Sequence, residues 1–220
     1  MELDQNYNPA VETIESISPT RLRHSAALWI SRIFSPPILV VLSIGLAAAA
    51  IGTVSAWLWA GIFTLIAVLI PVLYIVWKVK QGLISDFHMR IREQRIKPMF
   101  FMLFMSILAT GLLTLFAAPF ILVVLAFSSV IQVGFLTAVT LKWKISGHST
   151  AAAGFSVLMV ALFGAAALPA LLLIPLVAWA RVARSRHELT QTIAGTLAGV
   201  AYTLIVIAVV STNGVTLTLI

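Results

Sequence analysis

Residues 98–141, PMFFMLFMSILATGLLTLFAAPFILVVLAFSSVIQVGFLTAVTL, run for 44 positions without one charged side chain. A bilayer's hydrocarbon core is about 30 Å thick, and a helix needs roughly 20 apolar residues to cross it. The stretch therefore holds two crossings, read as 98–117 and 120–141, with Pro119 between them as the turn. The same reading extends outward in both directions. Further apolar runs lie at 37–53, 55–77, 148–166, 168–183 and 190–211, with breaks at Gly52-Thr53 and Pro169. The first two are separated by so short a turn that the count is six to seven.

Composition agrees. Of 220 residues 61% are hydrophobic and only 10% charged, against about 25% charged in an ordinary soluble domain. The fold class expected is an all-α, polytopic transmembrane helical bundle. Residues 1–17 form a polar N-terminal tail, too acidic for a cleavable signal peptide. Residues 18–35 interleave Arg21, Arg23 and Arg32 with Leu22, Leu28, Trp29 and Ile30. That pattern suits an amphipathic helix lying in the interface, entered at Ser18-Pro19 and stopped by Pro36-Pro37, with His24 as an interfacial residue. Residues 36–220 make up the transmembrane domain. Cysteine is absent, which excludes disulfides and thiolate metal sites.

All 14 Lys and Arg fall in four islands: the N-terminal segment, 78–97, 142–144 and 181–186. With seven spans the islands emerge on one side, after zero, two, four and six crossings, and the seven acids lie there too. The positive-inside rule makes that face, and the N-terminus, cytoplasmic and leaves the C-terminus outside. The net charge of +7 flanks apolar spans, so the partners it implies are anionic head groups or a phosphorylated substrate within the bilayer, not nucleic acid.

Three islands carry chemistry. DFHMRIREQRIKP, 86–98, packs Arg90, Arg92, Arg95 and Lys97 into eight residues, an anion trap. KISGHST, 144–150, offers Ser146 as a helix cap, Gly147 for close backbone approach and His148 as a proton donor in the first turn. WARVARSRHELTQTIAG, 179–195, carries Arg181, Arg184, His187 and Gln191. His187 and Gln191, four apart, share a helix face and can hydrogen-bond; Arg184 joins them if the helix is continuous. His148 and His187 are two crossings apart, so a hairpin returns one to the face of the other. Two imidazoles, several guanidiniums and a helix N-terminus suit phosphoryl chemistry. Asp86 and His88 make a weaker pair for a metal, and no metal is expected.

At these residues the chain resembles the type 2 phosphatidic acid phosphatase superfamily. That family carries K-x6-R-P, P-S-G-H and S-R-x5-H-x3-D in order. The matching stretches are Arg90-x6-Lys97-Pro98, Ile145-Ser146-Gly147-His148 and Ala180-Arg181-x5-His187-x3-Gln191. The resemblance covers about 90 to 191. It implies an integral membrane lipid phosphatase, metal- and cofactor-independent, acting on phosphatidate, phosphatidylglycerol phosphate or a polyprenyl phosphate or diphosphate. It also implies that His187 is the nucleophile, forming a phosphohistidine, and that His148 is the general acid. Gln191 then orients His187, while Arg90, Lys97, Ser146, Gly147 and Arg181 cradle the phosphate. Arg92 or Arg95 is the alternative to Arg90, and Arg184 is an additional cation. The departures are the Arg/Lys exchanges, Ile145 for proline, Ala180 for serine and Gln191 for aspartate; the last removes a negative charge beside the nucleophile. A non-catalytic relative, binding lipid or serving as a structural subunit, is the alternative this departure leaves, and a homo-oligomer or membrane complex stays open. A transporter is disfavoured because the spans hold almost no ionisable residue. A prenyltransferase is disfavoured because seven acids supply no pair of Asp-rich motifs.

The topology is checked by single cysteines at positions 5 and 213. A membrane-impermeant thiol reagent added outside is expected to label position 213 and to spare position 5 until the membrane is opened.

Overall fold

The computed structural model describes residues 19–87, 89 and 91–212. The expected tail 1–17, together with Ser18, His88 and Arg90, lies outside the described residues. The architecture is helical throughout: α1 (Pro19–Ile33), α2 (Pro36–Ile51), α3 (Val54–Phe63), α4 (Ile70–Lys80), α5 (Arg92–Leu115), α6 (Phe120–Thr140), α7 (Gly147–Phe163), α8 (Leu173–Ala183) and α9 (Leu189–Thr212). A π-helical segment, Thr64–Leu69, joins α3 to α4, and a 3-10 segment, Gly164–Leu172, joins α7 to α8.

The breaks follow local chemistry. Pro36 and Pro37 occupy the first turn of α2, where a missing N–H costs nothing. They also bend the chain by 47° relative to α1. Gly52, at φ +74°, ends α2 with its N–H on Ala48 O. Thr53 then caps α3 by accepting from Ala56 N at 3.2 Å, so two residues suffice for the reversal. Between α3 and α4 the widened π turn lies just before Pro71, whose missing N–H leaves a carbonyl without its α-helical partner.

By length and composition, five stretches among the described residues suffice to cross a bilayer: Val54–Lys80, Arg92–Leu115, Phe120–Thr140, Gly147–Ala183 and Leu189–Thr212; the bent α1–α2 pair makes a sixth if it counts as one span. The fourth is not one rod. Ser156 Oγ donates to Ala170 O at 2.6 Å, whereas 14 residues of straight helix would separate them by about 21 Å. Val177 of α8 likewise packs on Ala151 and Ala152 of α7. The stretch is a hairpin that reverses at Gly164, φ +58°. The turn falls at Gly164 instead of Pro169 because glycine accepts that φ freely, while a proline fits within the 3-10 segment.

Passes therefore alternate in direction along the bundle. The beginnings of α2, α5, α7 and α9 meet the ends of α4, α6 and α8 at one end. Large side chains such as Phe104, Leu197 and Leu204 face outward, mostly exposed, as they must where the surroundings are hydrocarbon. The interior is built from small residues, among them Ala47, Ala48, Ala109, Ala126 and Ala151–Ala153, which let backbones approach closely. The tightest approach joins α7 to α9. A methyl group on Gly195 would stand 2.6 Å from Ser146 O, and one on Gly199 would collide with Thr150 O.

Gly195→Val is accordingly expected to cost about 1–3 kcal/mol or more by overpacking against backbone. Gly111→Ala, where nothing lies within 4 Å, is expected to be neutral. Thermal unfolding in detergent distinguishes the two.

Candidate functional site

At the end of the bundle where the cationic islands gather lies a cavity of about 230 Å³. Arg95, Gly147, His148, Arg181 and His187 line its polar end, and apolar residues of α2, the π segment, α4, α5 and α6 line the rest. Each polar side chain is delivered by a definable local structure.

Ser146 is the N-cap of α7: its Oγ accepts from Ser149 N at 3.3 Å and lies 2.9 Å from Ser149 Oγ. The hydroxyl is fully buried and engaged in the cap, so it positions Gly147 and His148 and does not reach the cavity itself. The helix N-terminus these residues begin presents N–H groups and a partial positive charge to the same space.

Arg181 sits in the last turn of α8. The helix ends there in a Schellman-type closure: Arg186 N bonds to Arg181 O at 3.1 Å, and Ser185 N to Val182 O at 2.8 Å. Ser185 takes the left-handed conformation, φ +50°. This closure breaks the helix before His187, so Arg184 does not share a helical face with it. His187 instead sits in the loop ahead of α9. Its Nδ1 still lies 2.9 Å from Gln191 Oε1, because Gln191 falls in the first turn of α9. With Oε1 as acceptor the ring proton is held on Nδ1, which leaves the Nε2 lone pair as the nucleophilic position. Gln191 also ties the two motif segments together, since its backbone oxygen accepts from Ser146 N at 3.2 Å.

Arg181 is 2% exposed. Its Nε and Nη1 are buried and have no hydrogen-bond partner among the described residues. A buried guanidinium with idle donors is costly, several kcal/mol where no partner is present. Its free N–H groups are the kind that make charge-assisted hydrogen bonds to an oxyanion. Arg95, Arg184, Arg186 and Lys144 add to the positive field around it. Burial pushes the Lys144 ammonium below its ordinary value, and Arg95, Arg181 and Arg186 push in the same direction, with Glu188 opposing.

His187, 7% exposed, is pushed down to about 3. Burial is the main cause; the Gln191 hydrogen bond opposes it, while Arg181, Arg95 and Lys144 lower it further. The imidazole is therefore neutral throughout the physiological range, the state a nucleophile requires.

The arginine loop is sorted by the structure. Arg95 reaches the cavity wall, with its Nε donating to Met89 O at 2.6 Å. Lys97 is exposed and away from the cavity. Arg92 pairs with Glu93 at 3.1 Å and donates to Leu141 O at 3.2 Å, clamping the α6 end instead of facing the site. Arg184 is half-buried and does not line the cavity. Sequence reasoning passed over Gln132 and Tyr202, deeper in the bundle, whose side chains bond at 3.0 Å. Only their placement on facing helices reveals them; neither belongs to a motif.

Histidine NMR is expected to find the His187 ring neutral across about pH 5–8, where an ordinary histidine titrates. Gln191→Asp should raise its pKa, because a carboxylate favours the imidazolium. A midpoint near the ordinary value in the unmodified protein would contradict the burial argument.

The chain matches no protein-family model, no curated protein and no solved structure, so the site's own geometry carries the functional reading.

Proposed function

We propose that this protein is a membrane-embedded phosphatase of lipid phosphates. The observation that carries the reading is the buried Arg181 guanidinium, with two idle donor nitrogens, in the same cavity wall as a neutral His187 and as His148. In the reaction, Arg181 and Arg95 hold the phosphoryl oxygens, aided by the α7 N-terminus at Gly147. The Nε2 lone pair of His187 forms the new P–N bond as the P–O bond to the lipid breaks. His148 gives its proton to the departing lipid oxygen. The same His148, now neutral, takes a proton from water as that water attacks phosphorus; the P–N bond breaks, and inorganic phosphate leaves. Gln191 keeps the Nδ1 proton in place throughout. By the distribution of Lys and Arg, the site faces the cytoplasm.

Gln191 sets the speed. When His187 is phosphorylated its ring carries positive charge, which an amide oxygen stabilises less than a carboxylate would. In serine proteases the equivalent amide exchange costs about 10⁴ in rate, largely through the wrong tautomer. Here Oε1 accepts from Nδ1, so the tautomer is right and only the charge is missing. The second reading, a lipid-phosphate-binding relative without turnover, draws on the same residue.

Protein purified in detergent is expected to release phosphate from a panel of lipid phosphates, with His187→Ala abolishing release and Gln191→Asp increasing it at neutral pH. Binding without release, unrestored by Gln191→Asp, would favour the second reading. Release undiminished in His187→Ala would remove His187 as nucleophile.

A further inference from the structure

The cavity has a depth and a floor. Its wall follows α5 from Arg95 to Ser106, 11 residues or about 16 Å at the helical rise. That is close to one leaflet's share, roughly half, of a 30 Å hydrocarbon core. Between the two ends the wall is apolar: Val68 of the π segment, Val72, Met99, Met102 and Val133. Unbranched, flexible methionines adapt to an irregular neighbour such as an alkyl chain.

At the deep end the apolar lining gives way to Gln132 and Ser129. Gln132 Oε1 accepts from Tyr202 OH at 3.0 Å, and both partners are 8% exposed. Beyond lies a second cavity of about 30 Å³, bounded by Tyr202 and Gly154. Val40, Phe63, Ser129 and Gln132 border both spaces, so they form the partition between them. An amide locked to a phenol is a poor place for an alkyl terminus to pass, because separating the pair would strand two polar groups away from water.

We propose that the apolar shaft takes one hydrocarbon tail of a lipid phosphate whose phosphate sits on Arg181, and that the Gln132–Tyr202 partition, backed by Phe63, stops the tail and selects its length. The proposal rests on the phosphatase reading for its head group. Charge supports the single occupant: cations at one end, an uncharged wall below, and a length matching one leaflet. Gln132 is a specificity-determining residue and touches no reacting atom.

The test is phosphate release from straight-chain alkyl phosphates, hexyl to octadecyl, by the full chain in detergent. The wild type is expected to show an optimum at a tail of about 16 Å, with efficiency falling for longer chains. Gln132→Ala, which opens the shaft into the second cavity, should move the optimum to longer tails, with roughly a tenfold gain for a chain two methylenes longer. Ser106→Leu, which fills the deep end, should move it to shorter ones. The opposite shifts make either folded variant sufficient. An unchanged optimum in a folded Gln132→Ala or Ser106→Leu, or a wild-type profile with no optimum, overturns the tail stop while leaving the phosphatase reading intact. If the wild type releases phosphate from none of the series, the phosphatase reading falls by itself. The same chains are then scored by thermal shift of the wild type and variants, and an optimum that fails to move there overturns the stop as well.

Discussion

The close contact of α9 with α7 is the constraint on which the site depends. In lipid there is little hydrophobic gain from pressing helices together, so association rests on packing and interhelical hydrogen bonds. Gly195 and Gly199 supply the packing, lying against Ser146 and Thr150 with no room for a methyl group. The bond from Ser146 N to Gln191 O supplies the register. Once these are set, His148 in the first turn of α7 and the His187–Gln191 pair at the start of α9 have a defined relation. The α7–α8 hairpin then returns Arg181 to the same end.

Electrostatics turn that geometry into a site. Arg181 is buried with idle donors, and other cations surround it with no carboxylate on its guanidinium among the described residues. Such an arrangement is unfavourable by itself and improves when an anion arrives. The same field and burial keep His187 neutral. On the phosphatase reading proposed above, a phosphoryl group meets a charged clamp beside a neutral imidazole.

Much of this was legible in one dimension. Apolar run length, the Gly52-Thr53 turn and the Pro119 break are local properties, and the helices begin and end close to where those residues place them. The four islands of charge predicted that His148, Arg181 and His187 belong to one end, since the parity of passes is a matter of counting. Less legible were the points where the chain chooses between equivalent local options. The α7–α8 reversal occurs at Gly164 instead of Pro169, because a proline can sit inside a 3-10 segment. The helix ends before His187 through a Schellman closure at Ser185, which no glycine announces. In the arginine loop the motif spacing selects Lys97, yet Arg95 lines the cavity. Two residues apart on a helix means about 200° of rotation, so only one of them faces inward, and neighbouring helices decide which.

By itself the sequence determined that the protein is a helical membrane bundle with its hydrogen-bonding chemistry collected at one end, because hydropathy and charge are additive along the chain. Tertiary structure decided which cations face the cavity, that the Ser146 hydroxyl is engaged in a helix cap, and that Gln132 meets Tyr202 across 70 residues. Those outcomes depend on helix rotation and on the distance between backbones, which small residues such as Gly195 permit but which only the packed bundle sets.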